Sequence, residues 1–171
     1  PSILFEATWR CNQRCRFCYN EWSGPDSVLA ASPHGAELRG DAPTRHAKKV
    51  IRAIVTQSAC KQLTFTGGEA TLRDDLLDLV ATARLAGTKA TVISNGALLD
   101  AGYVDDLRRV GCGMLQFTFC GLSPETHDPL CGAGTFQRTM AALQAARRGG
   151  MKVGLTFVAT RENLGEAAPF V

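Results

Sequence analysis

The sequence predicts an α/β domain built on a parallel β-sheet. Five short apolar segments have the β-branched and aromatic composition of strands, and longer amphipathic segments with helical periodicity separate them. Strands that alternate with helices form right-handed βαβ units, which place neighbouring strands parallel to one another. The chain has 171 residues, about the length of one domain. Five units are too few for a closed eight-stranded barrel, so an open half-barrel or a doubly wound sheet is expected.

The elements follow one another in a regular order. The strand-like segments cover residues 3–9, 62–66, 90–94, 114–119 and 152–158. The helix-like segments cover residues 47–55, 76–83, 104–110 and 136–143, and a fifth starts near residue 163. Asp100 is placed to cap the third helix, and glycines follow the second, third and fourth. The segment 20–44, rich in glycine, proline, serine and alanine, predicts a long loop.

Composition and charge exclude two kinds of partner. The chain has 19 basic and 16 acidic residues, which gives a net charge of +3. The basic residues are not clustered as a nucleic-acid surface requires, and no apolar run reaches the roughly 18 residues of a membrane span. No secretory leader opens the chain, so we expect a cytoplasmic protein. Both ends lie inside predicted elements, which indicates a piece of a longer protein.

Three of the seven cysteines lie close together. Cys11, Cys15 and Cys18 directly follow the first strand, where a βα loop is expected. Closely spaced thiolates on one loop suit an iron–sulfur cluster, and three ligands leave one iron of a four-iron cluster open. The alternatives are a zinc site with a distant fourth ligand, or three unrelated core cysteines.

The spacing CxxxCxxC, with Phe17 before its third cysteine, resembles the radical S-adenosylmethionine (radical SAM) superfamily. The resemblance covers nearly all of the chain. It implies one core domain over 1–171, a TIM-like partial barrel with about five of its six βα units present and truncated at the C-terminus. It also implies a [4Fe-4S] cluster on the three cysteines and S-adenosylmethionine. Together they would cleave S-adenosylmethionine reductively to a 5′-deoxyadenosyl radical, which abstracts a hydrogen atom from the substrate.

A second motif, Gly67-Gly68-Glu69, follows the second strand. Glycines let the backbone approach a neighbour closely, and a carboxylate suits an ammonium group. Taken alone, Gly-Gly-Glu is also a common turn. The resemblance implies that these residues hold the amino group of the methionine moiety.

Further cofactor contacts are implied by the same resemblance. Ser94 would line the cavity beside the cofactor, although Ser94-Asn95-Gly96 is also a turn sequence. Thr118 would offer a hydroxyl to the cofactor. Phe17 and Tyr19 would shield the site from water.

The chain departs from the resemblance at two cysteines. Cys120 stands where relatives often have aspartate or tyrosine, and Cys131 stands where an arginine often pairs with the cofactor's carboxylate. A thiol cannot make that bidentate contact, and Arg161 is a candidate replacement by location only. His127 is either a proton-transfer group or a local hydrogen-bonding residue. Asn163 is either a site residue or a helix N-cap.

The resemblance also bears on partners. The stretch 121–128 is similar to the branch whose members carry a C-terminal cysteine-rich (SPASM-type) domain with auxiliary clusters, many of which modify peptides or proteins. A peptide substrate and a low-potential donor such as a ferredoxin or flavodoxin are therefore implied. The alternative functions are an iron–sulfur electron-transfer module, which needs a fourth cysteine and no Gly-Gly-Glu, and a structural zinc protein.

Overall fold

A computed structural model of the chain describes residues 1–19 and 40–170. Within these ranges, five strands form one sheet in which every neighbouring pair is parallel. The strands are β1 (Ser2–Thr8), β2 (Gln62–Gly67), β3 (Lys89–Ser94), β4 (Cys112–Phe119) and β5 (Val153–Phe157). The helices are α1 (Thr44–Ser58), α2 (Leu76–Leu85), α3 (Ala101–Arg109), α4 (Pro124–Cys131), α5 (Thr135–Arg148) and α6 (Ala167–Phe170).

The strands lie in the sheet in the order in which they occur in the chain, from β1 at one edge to β5 at the other. The sheet is therefore open, and the predicted fold class, an α/β partial barrel with a parallel sheet, is confirmed. All five predicted strands are present, with ends displaced by one or two residues. The additional helix α4 was not predicted, because prolines at 124 and 129 obscure its periodicity.

The main core lies between the sheet and the helices. Strand side chains alternate between the two faces of a sheet, and the buried apolar set of each strand packs against the helices. In β4, for example, Leu115, Phe117 and Phe119 are buried on that face. Phe117 and Phe119 are therefore core residues, as their alternation in the sequence predicts.

The opposite, concave face of the sheet is largely polar. Alternation places there Thr64, Thr66, Thr91, Gln116, Thr118 and Thr156, together with the apolar Leu4, Ile93 and Met114. Gln116 Nε2 donates to Thr156 Oγ1 at 2.6 Å across the β4–β5 pair. Among the described residues the helices pack on the other face of the sheet, and the uncovered concave side is where a parallel α/β half-barrel receives a ligand.

The N-terminus of α3 is capped as the sequence predicts. Asp100 accepts a hydrogen bond from Tyr103 N at 2.8 Å, so the predicted N-cap of α3 is confirmed. Of the predicted loop 20–44, residues 20–39 lie outside the described residues, and residues 40–43 form neither helix nor strand. In the parts of the chain that the structure covers, every helix is too short or too polar to cross a membrane.

Candidate metal and cofactor site

The three cysteines predicted as ligands lie on the loop that follows β1, at the carboxyl end of the sheet. All three carry free thiols, and Cys18 is exposed. Gln13 N donates to Cys11 Sγ at 3.4 Å, and Cys18 N donates to Cys15 O at 3.1 Å. Burial chiefly raises the pKa of the Cys11 thiol, and the nearby Glu69 carboxylate acts in the same direction. Glu69 and the other loop cysteines therefore lie in the electrostatic neighbourhood of Cys11, but the three loop thiols do not all come within 4.8 Å of one another.

The cysteine loop is fixed at its start and again between Cys15 and Cys18. Arg10 pairs with Asp41 at 2.6 Å and donates to Leu72 O at 2.9 Å. Further along, Arg16 N donates to Leu130 O at 2.9 Å. These contacts come from separate elements, so the loop is held by the fold and not by its own sequence alone.

Gly67 and Gly68 bring the end of β2 against the backbone that leads into the cysteine loop. Gly68 N donates to Thr8 O and Glu69 N donates to Arg10 O, both at 2.8 Å. A Cβ on Gly67 would lie 1.9 Å from Thr8 O, and one on Gly68 would lie 2.3 Å from Arg10 O. The two glycines thus let the backbone at the end of β2 pack closely against the backbone of residues 8–10. This packing holds Glu69 next to the cysteine loop.

Glu69 is a buried carboxylate, 2% exposed, with an almost complete set of donors. Its Oε1 accepts from Thr71 N at 3.1 Å, Thr71 Oγ1 at 2.5 Å and Ser94 Oγ at 2.8 Å. Within residues 1–19 and 40–170, its Oε2 accepts only from Asn95 N, at 2.7 Å. Among the described residues no basic side chain forms an ion pair with it. Because a buried anion needs compensation, the spare capacity of Oε2 fits an incoming ammonium group.

Ser94 and Asn95 act on this carboxylate from the end of β3. The Ser94 hydroxyl donates to Glu69 Oε1 and accepts from Gly96 N at 3.0 Å. Its role is therefore to hold the carboxylate in position. The Asn95 side chain donates to Asn12 Oδ1 at 2.8 Å and so reaches the cysteine loop. Sequence reasoning missed Asn95, because Asn-Gly is so common in turns that its amide signals nothing specific.

One donor in the cysteine loop has no partner. Gln13 Nε2 is buried and makes no hydrogen bond within the described part of the chain. Buried polar groups are nearly always satisfied, so an orphaned donor between Cys11 and Cys15 indicates an absent acceptor. The thiols, the orphaned amide and the spare carboxylate oxygen together fit an iron–sulfur cluster and an amino-acid ligand.

The remaining predicted contacts differ in exposure. Phe17 packs against a small apolar group that includes Leu130 and Val158. Tyr19 is 72% exposed, and its hydroxyl donates to Glu6 Oε1 at 3.3 Å. Thr118 is partly buried on the concave face of β4.

Cys131, at the position where an arginine was expected, lies beside Cys15. The hydrogen bond between their thiols, together with burial, raises the pKa of Cys15. A hydrogen bond with Cys120, followed by burial, raises the pKa of Cys131 to about 12. Both thiols are therefore protonated at neutral pH in the absence of a metal ion.

His127 and Asn163 both bind the backbone at the end of β4. His127 Nδ1 accepts from Cys120 N at 3.1 Å, and burial lowers the pKa of the ring. Asn163 Nδ2 donates to Cys120 O and Val158 O, both at 2.8 Å. Asn163 makes no side-chain N-cap bond, so it joins the loop after β5 to β4 instead. Arg161 is exposed on that same loop.

Comparison with known proteins agrees with this geometry. The Radical SAM superfamily matches residues 6–169, so the chain belongs to this superfamily. Its members use a [4Fe-4S] cluster and S-adenosylmethionine, which confirms the predicted cofactors at the level of the family.

Two curated relatives are similar over most of the chain. Fe-coproporphyrin III synthase of Methanosarcina barkeri is 30% identical over 165 residues, which are 96% of this chain and 38% of that protein. PqqA peptide cyclase of Gluconobacter oxydans is 32% identical over 167 residues, which are 95% of this chain and 42% of that protein. The chain thus spans about two-fifths of the length of these relatives.

Among solved structures, Streptococcus suis SuiB has a similar fold. It matches 99% of this chain and 36% of its own, with a TM-score of 0.76 and 17% sequence identity. The same protein bound to S-adenosylmethionine matches with a TM-score of 0.75. The likeness supports the half-barrel description.

Proposed function

We propose that residues 1–171 form the core domain of a radical SAM enzyme, with Cys11, Cys15 and Cys18 as the ligands of a [4Fe-4S] cluster. The observation that carries the proposal is the buried Glu69 carboxylate beside the cysteine loop, with one oxygen still able to accept. An electron-transfer module has no use for such an anion. A ligand with an ammonium group does.

Different residues of the site bind the iron–sulfur cluster and S-adenosylmethionine. The three thiolates would hold iron, and Gln13 Nε2 is left free to donate to the same group. Glu69 Oε2 would accept from the ammonium of S-adenosylmethionine, and Ser94 and Asn95 fix the carboxylate that receives it. Bound together, the cluster and S-adenosylmethionine supply one-electron chemistry that ends in hydrogen-atom abstraction from substrate.

Gly67 and Gly68 contribute through the backbone. Their contacts with Thr8 and Arg10 set the distance between the carboxylate and the cysteine loop. Such positioning matters because a misplacement of about 1 Å can cost a hundredfold in rate.

At the carboxylate side of the ligand, Cys131 takes the place of the expected arginine, and the alternative candidate, Arg161, is exposed on the loop after β5. Cys131 carries no charge to offer, and the Arg16 side chain is engaged with Glu162 at 3.2 Å. We assign this side to neutral donors on the concave face, among them the predicted Thr118 hydroxyl. Phe17 forms an apolar wall that limits water, and Tyr19 lies at the exposed margin.

One of the two relatives supports a proposal for the substrate class. PqqA peptide cyclase acts on a peptide, and we propose a peptide or protein substrate for the whole protein to which this domain belongs. A low-potential donor such as a ferredoxin or flavodoxin, and a cytoplasmic location, are part of the same proposal.

A second candidate function has one observation in its favour. An iron–sulfur electron-transfer module needs a fourth thiolate, and Cys131 is placed against Cys15. In that case Cys131→Ala would lose the cluster, whereas the radical SAM proposal expects it to retain iron. Cys112→Ala, a buried cysteine at the opposite end of β4, is the matched control.

Electron paramagnetic resonance tests the proposal directly. The chain is reconstituted with iron and sulfide without oxygen, reduced with dithionite and measured with and without S-adenosylmethionine. The expected result is a reduced four-iron signal that changes shape when S-adenosylmethionine is added. A signal indifferent to S-adenosylmethionine would overturn the assignment and favour the electron-transfer module.

A further inference from the structure

Outside the cysteine loop, three metal-binding side chains meet in the interior. The thiols of Cys120 and Cys131 and a ring nitrogen of His127 all lie within 4.8 Å of one another, and we call this group the buried thiol cluster. The three residues are 0%, 4% and 1% exposed, respectively. Ligands around a tetrahedral zinc ion, with bonds of about 2.0–2.3 Å, are separated by somewhat less than this, so small side-chain movements would close the site.

Two elements bring the cluster together. His127 and Cys131 are four residues apart on α4, so they lie on the same helix face. Cys120 directly follows the end of β4, and its backbone is held by His127 and Asn163. The arrangement is therefore supported by a strand, a helix and a second set of hydrogen bonds, as metal ligands generally are.

The histidine is in the form that a metal ion requires. His127 Nδ1 accepts the Cys120 N–H, so this nitrogen is unprotonated and faces the end of β4. The Nδ1 lone pair of this neutral imidazole can ligate a metal ion by exchanging its hydrogen bond with Cys120 N for a metal bond. The Cys120 N–H would then be free to donate to a thiolate.

A fourth ligand is within reach. Cys15 packs against the buried group that contains Cys120 and Cys131. Its thiol is not among those within 4.8 Å of one another, so it has to move toward the cluster in order to ligate. Three sulfurs and one imidazole nitrogen are a preferred tetrahedral ligand set of Zn²⁺.

We propose that the buried thiol cluster binds a zinc-class divalent ion, with Cys15 as its fourth ligand. Since Cys15 is also a predicted ligand of the iron–sulfur cluster, the two metal centres exclude each other at this residue. The chain then has two metal-loaded states, which differ in the centre that holds Cys15.

The test separates the two centres. The double variant Cys11→Ala/Cys18→Ala removes two of the three loop thiols and leaves the buried thiol cluster and Cys15 intact. Co²⁺, a spectroscopic substitute for Zn²⁺, is titrated into this protein without oxygen. We expect one Co²⁺ per chain, with intense tetrahedral absorption and a sulfur-to-cobalt charge-transfer band.

Further substitutions in the same background identify the ligands. Cys131→Ser and Cys120→Ser should each lower the Co²⁺ affinity at least tenfold, whereas the control Cys112→Ser should leave it unchanged. Equal binding in all of these variants, or no tetrahedral cobalt in the double variant, would refute the proposal.

Two measurements need no substitution within the cluster. X-ray absorption of the Zn²⁺-loaded double variant should give three sulfur neighbours and one nitrogen, and a shell of oxygens would contradict the site. Thermal unfolding of the same protein should shift upward with increasing Zn²⁺ concentration. Neither measurement depends on whether S-adenosylmethionine changes the iron signal. The zinc proposal is therefore tested independently of the proposed function.

Discussion

Glu69 is the residue that distinguishes this site from a simple metal-binding loop. Four hydrogen bonds fix its carboxylate, and three of them converge on one oxygen. The side chain therefore adopts its binding orientation before any ligand arrives. Only the other oxygen remains to define where an ammonium group can sit.

Substitution of Glu69 by glutamine tests this role. Glu69→Gln keeps the shape but removes the charge, and a charged hydrogen bond contributes about 1.5–3 kcal/mol. We expect S-adenosylmethionine to bind about ten- to hundredfold more weakly, measured by calorimetry on the reconstituted protein, with iron content unchanged. Glu162→Gln, an exposed acid paired with Arg16, should leave the affinity as it is. Equal affinity in both variants would remove Glu69 from the binding site.

Residue types alone predicted part of this site. The three cysteines and Glu69 were identified because their spacing and order are specific. The contributions of Gln13, Asn12 and Asn95 were not, since each depends on contacts between loops that are distant in sequence. The meeting of Cys120, His127 and Cys131 likewise needs α4, a helix that the sequence pattern conceals.

Among the elements, the end of β2 depends most on close packing. Gly68 has Arg10 O and Trp9 O within 2.6 Å of where a Cβ would lie, and backbone atoms cannot move aside cheaply.

We therefore expect Gly68→Ala to destabilise the fold by about 1–3 kcal/mol and to lower the iron content, because the cysteine loop is displaced. Thermal unfolding and iron analysis measure the two effects. Gly165→Ala is the control, since a Cβ there meets nothing within 4 Å. If the two variants behave alike, the close approach at Gly68 is not a constraint.

Helix α5 is capped from α4. The Asp128 carboxylate accepts from Gly134 N at 2.7 Å and Phe136 N at 2.8 Å. Burial alone would raise the pKa of Asp128, but these hydrogen bonds outweigh it and hold the pKa below the ordinary value of 3.8.

Because its folded pKa is depressed, Asp128 stabilises the protein above the unfolded pKa, and this contribution is lost as pH falls through the folded value. Asp128→Ala should cost about 1 kcal/mol at pH 7, seen as a lower midpoint of thermal unfolding. The difference from the parent chain should shrink below about pH 4. If the difference in unfolding midpoint between the two proteins stays constant from pH 7 to pH 3, the charge of the Asp128 carboxylate does not contribute to stability.

At the scale of the whole molecule, the fold class was predictable and the environment of its edges was not. Alternating strands and helices dictate parallel pairing, and the observed order follows from short, right-handed connections. Which strand faces remain uncovered is set by packing. The edge strand β5 carries Leu155, which is 48% exposed although it points to the helix side.

An uncovered apolar edge strand favours association between chains. We expect the chain to self-associate as its concentration rises, measured by sedimentation velocity, and Leu155→Glu to reduce that association. Leu85→Glu changes a leucine that is 90% exposed at the end of α2, away from the edge, and should have no effect. Equal suppression by both variants would point to net charge as the cause.

The order of the strands also has a consequence for synthesis. Every residue that fixes Glu69 and the cysteine loop to β2 and β3 precedes residue 97. Cys131, the thiol that contacts Cys15, follows Asn95 by 131 − 95 = 36 positions. At about 5–20 residues per second on the ribosome, it emerges some two to seven seconds later. During that interval the nascent chain presents its three loop thiols to iron before the competing sulfur exists.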